Sequence, residues 1–225
     1  MLNLFKIGKI LNETNRLSGI KEFNASVPVK LEVLKEINPI TYEIKLGNKT
    51  VETKSHIPLE VGKKYLANIV EKKEYIQIQN LKEFPKLLET LEKISFSKEM
   101  NLDKDTIIDK LTHAKTKDEF MFFANILLAL QKGIRHIFIN EKNNKALLQL
   151  KKNKNSIDFY ACYKFLGELE GTITPHKVMI LTPFKNVASL IEQNSEELDK
   201  KVEVKIKNTI KPLYEFKNTL LDIKA

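Results

Sequence analysis

A single cysteine, Cys162, rules out an intrachain disulfide, so no oxidised framework staples this chain and a reducing cytoplasm suits it. Arginine is nearly absent: only Arg16 and Arg135 occur, and lysine supplies the rest of a +9 net charge. Tight phosphate clamping and base readout favour the planar arginine fork, so a scattered lysine surplus reads first as solvated surface. Metal-ligand spacing is missing too. His56, His113, His136 and His176 have no partner three or four residues away, and there is no Cys-x-x-Cys or His-Glu-x-x-His. They read as surface or strand-end histidines, with no metal and no cofactor.

No apolar run is long enough for a bilayer. The longest, 120–130, is about half the length a spanning helix needs, and it carries Asn125. The first residues place Leu4, Ile7 and Leu11 on one helical face between lysines, without an apolar h-region or a small-residue cleavage site, so they do not read as a secretory signal. Linkers rich in proline or serine, internal repeats and low-complexity tails are also missing.

What is present is a change of period along the chain. From Val27 to Asn80 apolar residues alternate: Val29, Leu31 and Val33, then Ile40, Tyr42, Ile44 and Leu46, a turn at Gly47-Asn48, a restart through Val51, and Tyr65, Ala67 and Ile69 before Ile76 and Ile78. Five short strands joined by tight turns predict a small curled sheet or barrel over 26–84, with 1–25 as an arm in front. After Pro85 the period becomes helical. Leu87, Leu88, Leu91 and Ile94 give one stripe and Ile107, Ile108 and Leu111 another, while Thr116 and Glu119 form a capping box before a helix expected to be buried almost all round. This helical segment runs over 85–133.

The remainder, 134–225, reads as four strands, a helix with Val187, Leu190, Ile191 and Leu198 on one face, and a return strand from Val202. An antiparallel sheet with that helix over one face is the expectation, with a short helix near Tyr214 and a last strand from Leu220 as further readings. The fold class is therefore α+β: an N-terminal small β-barrel, a central helical segment and a C-terminal antiparallel sheet with a covering helix.

Candidate chemistry is sparse. Cys162 alternates with Tyr160 and Lys164 on a strand and reads as a core thiol. The stretch Gly167 to Gly171 looks superficially like a phosphate loop but lacks the following Lys-Ser/Thr and carries Glu168 and Glu170 where an anion would sit. Those two carboxylates share one strand face, as a solvated edge or as an acidic edge for a basic partner.

Leu166-Gly167-x-x-Glu170, a following apolar strand with Val178 and Ile180, a helix with spaced leucines and a β segment to Asn208 together resemble the C-terminal domain of the flagellar hook-length control (FliK-type) family. Gly171 stands where that pattern usually has valine. The resemblance implies a non-enzymatic regulator of flagellar type III export. Its partner would be the cytoplasmic domain of the FlhB-type export-gate switch protein, and it would act in the cytoplasm, with its own export left open. The long polar ruler region of full-length members is missing from this sequence, which favours an accessory or shortened member.

The partner-binding residues on this reading are Leu166, Gly167, Glu168 and Glu170 with the helix flank Gln193, Glu197 and Lys200. Exchange of Gly167 and Glu168 is then expected to weaken binding and leave the thermal transition nearly unchanged. The competing reading is a single-stranded nucleic-acid binder that uses Tyr42, Tyr65 and Tyr75 with Lys45, Lys63, Lys64, Lys72 and Lys73 on the barrel, Tyr42 and Tyr65 being the more core-like.

Overall fold

The computed structural model describes residues 27–71, 76–94, 100–141, 144–195 and 200–217. The arm, the turn with Lys72, Lys73 and Tyr75, the positions Glu197 and Leu198, and the strand expected from Leu220 lie outside these residues.

Among the described residues two sheets and four helices make a mixed α+β fold. The first sheet has five antiparallel strands, β1 (Val29–Asn38), β2 (Thr41–Leu46), β3 (Lys49–Lys54), β4 (Lys64–Glu71) and β5 (Ile76–Glu83), in the order β3-β2-β1-β4-β5. Gly47, at φ +57°, takes the first position of the two-residue turn between β2 and β3, where a side chain would be strained. Register shifts in β1, between Val33 and Lys35 and between Glu36 and Asn38, add twist. The sheet curls around Leu31, Val33, Tyr42, Ile44, Leu46, Leu59 and Tyr65. It remains open, however: β3 and β5 are its two edges, and no hydrogen-bonded ladder joins them among the described residues.

The helical segment follows as α1 (Lys86–Lys93), α2 (Lys104–Thr112) and α3 (Lys117–Gln131). Thr116 caps α3, its oxygen accepting from Glu119 N at 3.1 Å, and the Glu119 carboxylate accepts from Lys115 N at 2.9 Å. That is the capping box displaced by one residue on the return leg. α3 is not buried all round. Phe122, Phe123, Asn125 and Ile126 are inside, while Phe120 is exposed, because only one side of the helix meets the sheet and the tail that crosses it.

The second sheet has seven strands in chain order, with the two-residue β6 (Met100–Asn101) at one edge. It continues through β7 (Ile134–Glu141), β8 (Asn144–Lys152), β9 (Ile157–Tyr163), β10 (Gly167–Ile173) and β11 (Lys177–Thr182), and ends on β12 (Lys201–Ile206). Two expectations change here. The stretch read as one strand from Ile157 is a hairpin, folded at Lys164–Leu166 with Gly167 at φ +74°, so five strands precede the last helix. Furthermore, β12 pairs parallel to β11. The helix between them, α4 (Lys185–Gln193), carries the chain back over the sheet, and a strand after such a crossover runs parallel to the one before it. α4 covers the side of β11 where Val178, Ile180 and Thr182 are buried.

One large core joins Val27, Leu66 and Phe84 of the first module to α1, α2, α3 and the seven-stranded sheet. Residues 214–217 are not helical; residues 207–217 form an irregular tail, bent at Asn208 and again at Leu213 and Tyr214, that crosses the sheet. No helix among the described residues is long and apolar enough to cross a membrane.

Candidate functional site

Leu166 and Gly167 sit where the two sheets meet. Leu166 has no exposed surface, and a Cβ at Gly167 would stand 3.2 Å from both Leu66 Cδ1 and Phe184 Cε2. Leu66 belongs to β4 and Phe184 precedes α4, so this step packs three elements together. It offers no free backbone to a partner. Gly171, the departure from the family pattern, has an equally local cause: it pairs with Phe159, and an added Cβ would collide with Met179 O and lie 2.7 Å from the Phe159 ring. An aromatic ring laid over a strand glycine leaves no room for valine.

Glu168 and Glu170 do share a face, and each is engaged. The Tyr160 hydroxyl donates to Glu168 Oε1 at 2.6 Å, and burial raises the Glu168 carboxyl above its ordinary range. Glu170 is ion-paired with Lys207, and its Oε2 accepts from Lys211 N at 2.8 Å. Cys162 lies opposite Glu168 on β9 with no exposure, and burial pushes its thiol well up, so the reactive thiolate is disfavoured. Gln193 is exposed at the end of α4, and Lys200 Nζ donates to Thr174 O at 2.8 Å. The structure thus brings Leu166, Gly167, Glu168 and Glu170 together at one end of β10 but commits most of their polar and apolar surface to the fold.

The barrel residues divide likewise. Tyr42 and Tyr65 point into the curled sheet, at 2% and 9% exposure, which leaves no stacking platform from these two. Lys63 pairs with Glu60 and Glu83, and Lys64 with Glu89. What the first sheet does expose is aliphatic. Leu34, Ile37, Ile40, Ile57 and Val61 crowd one end, brought together by Ser55 N donating to Ile40 O and Gly62 N donating to Val33 O.

The most organised polar constellation lies on the other side of the large sheet. Strand pairing puts His136, Gln149, Tyr160, Cys162, Glu168 and Glu170 on one face, and the tail crosses it. Gln149 Nε2 donates to Tyr214 O and its Oε1 accepts from Tyr214 N, both at 2.9 Å. Asn125, from α3, repeats the arrangement on Lys217: Nδ2 donates to O and Oδ1 accepts from N, again at 2.9 Å. With Glu170 on Lys211 N, three side chains from β10, β8 and α3 hold tail backbone groups at intervals of three residues.

Beneath the tail lies His136. It is a buried strand-interior residue, not a surface one, because its register on β7 puts it under the tail. It has 0% exposure, neither ring nitrogen has a hydrogen-bond partner among the described residues, and burial lowers its pKa to about 3. The Phe216 ring meets it edge-on at 5.7 Å.

Sequence reasoning missed this constellation. Its signal was present in two polar residues at core positions, Gln149 between Leu148 and Leu150 and Asn125 in the most apolar helix. Among the described residues no group of three or more His, Cys, Asp or Glu could hold a metal ion. No family model, no curated protein and no solved structure matches the chain.

Proposed function

We propose that the chain is a FliK-like binding module that regulates substrate switching in flagellar type III export. It acts in the cytoplasm by contact with the cytoplasmic domain of the FlhB-type gate protein and without catalysis. What supports this reading is the β10–β11–α4–β12 unit opened by Leu166-Gly167, which has a helix between two strands in the order that the resemblance implies. Leu166 and Gly167 build that unit from inside. The contact is left to Gln193 and Lys200, with Glu197 outside the described residues, because Glu168 and Glu170 lie on the opposite face of the sheet, beneath the tail.

The aliphatic end of the first sheet favours a protein partner over a nucleic acid, since exposed apolar clusters mark protein contacts. In this reading the curled sheet works as a barrel-like support beside that contact.

Calorimetric titration of the full chain with a purified FlhB-type cytoplasmic domain tests the proposal. Saturable binding that weakens about tenfold on Gln193→Ala combined with Lys200→Glu is expected. No heat of binding at any salt refutes it. Retention instead of single-stranded oligonucleotide, with affinity falling steeply as salt rises, would transfer the function to nucleic acid.

A further inference from the structure

The tail from Lys207 to Lys217 is held unlike any other segment of the sheet. Among the described residues its sole backbone-to-backbone hydrogen bond to the rest of the fold is Lys207 N to Thr182 O. Beyond that point Glu170, Gln149 and Asn125 take the backbone groups of Lys211, Tyr214 and Lys217 through their side chains. Side chains that pair with backbone N–H and C=O do not read the residue they hold, so another chain that follows the same bent path can make these bonds. Specificity is left to the side chains of the occupant, Tyr214 at the central clamp and Phe216 between two clamps.

At Phe216 the tail is a poor match. Phe216 lies against Phe122 at 5.4 Å, Tyr214 at 6.0 Å and His136 at 5.7 Å. An apolar ring over His136 leaves both imidazole nitrogens buried and unpaired, the most costly way to keep a polar group. A hydrogen-bonding side chain in place of Phe216 would remove that cost, and the tail does not supply one.

We propose that this face is a groove for a peptide segment of another protein that follows the path of the tail. The peptide carries an aromatic residue at the Tyr214 position and a hydrogen-bonding side chain two residues on, and residues 207–217 are its resident occupant in cis. A partner segment takes over the Gln149 and Asn125 clamps and pairs with His136, and the tail is released. This inference rests on the tail geometry alone and stands or falls separately from the export reading.

The test uses the full chain and two fluorescent peptides of the 207–217 sequence, one native and one carrying Phe216→Gln, with binding followed by anisotropy. The Phe216→Gln peptide is expected to bind about tenfold more tightly than the native one. The chain variant His136→Leu, which replaces an unpaired polar ring by an apolar side chain and keeps the fold, should bind both peptides alike. Hydrogen exchange on the unmodified chain should show the 211–217 amides opening well before those of β8 and β9.

Failure of both peptides to bind, a preference that survives His136→Leu, or tail amides that exchange only with global unfolding would each overturn the proposal. So would sedimentation showing a dimer in which tails are exchanged between copies, because the groove's trans occupant would then be a second copy of this chain.

Discussion

Gln149 uses its whole side-chain amide on one residue, donating to Tyr214 O and accepting from Tyr214 N, both at 2.9 Å and both buried. A side chain here does the work of a strand. The tail gains two ladder-like bonds without joining the sheet, and Gln149 is satisfied at a position surrounded by leucines.

Gln149→Leu keeps the volume approximately and strands the N–H and C=O of Tyr214 away from water. A loss of roughly 2–4 kcal/mol is expected, read from the urea midpoint, with the slope unchanged if only the native state is affected. Gln149→Glu removes the donor to Tyr214 O and buries a carboxyl group against that oxygen, so it should cost at least as much. Equal stability of all three chains would mean that the tail is not held through this residue.

The glycines at either end of β10 differ in what they exclude. Gly167→Ala meets a positive φ and two contacts at 3.2 Å, and should cost about 1–2 kcal/mol. Gly171→Val drives a branched side chain into Met179 O and the Phe159 ring, and should cost roughly 3 kcal/mol or more, because the obstruction is partly backbone. Calorimetric scans of both variants check the ranking. They also bear on the sequence-based expectation that joint exchange of Gly167 and Glu168 leaves the thermal transition nearly unchanged, which the packing around Gly167 argues against.

The periodic parts of the fold were legible in the sequence. Five strands before Pro85, three helices after it and the strand-helix-strand close all follow from alternation and from turn or cap residues that act locally. The misreadings share one cause, which is that the deciding contact is remote in sequence. The fold at Lys164–Leu166 depends on Gly167 in a stretch that alternates without a break. The parallel setting of β12 is fixed by the α4 crossover. Leu166 and Gly167 attract attention in the sequence as a motif, yet the reason they fit is Leu66, a hundred residues earlier. The clamps could be suspected from Gln149 and Asn125 being polar where leucine is expected, but nothing local says that a tail is their object.

Lys145 fixes α1 to the sheet. Its ammonium donates to Leu91 O at 2.8 Å, Ile94 O at 2.7 Å and Glu92 O at 3.3 Å, the carbonyls left open where α1 ends. A cation at that end also meets the negative pole of the helix. Burial lowers the Lys145 pKa, so the charge is held there against a desolvation cost. Lys145→Met keeps the stem and removes all three bonds. A destabilisation of about 2 kcal/mol is expected, with hydrogen exchange in α1 accelerated more than in β8. Uniform acceleration across both elements would show that the lysine supports the whole fold and does not act on α1 alone.

His136 sets a pH dependence whose sign follows from where its proton is bound. Folded, the ring has a pKa of about 3; unfolded, it returns to the ordinary 6.5. Between those values the unfolded chain binds a proton that the folded chain refuses, so stability falls as pH drops from about 6.5 toward 3, with a slope approaching about 1.4 kcal/mol per unit. Glu168 acts in the opposite sense. Its raised pKa favours folding at low pH and loses that contribution as pH climbs above 4.5 through the folded value. Total stability therefore mixes the two, and the His136 part is isolated by comparison with His136→Leu at each pH. The variant should be the more stable chain, by a margin that widens steadily on acidification from neutral pH. A margin that stays constant with pH would mean that the ring gains a proton, and a partner for it, in the folded state.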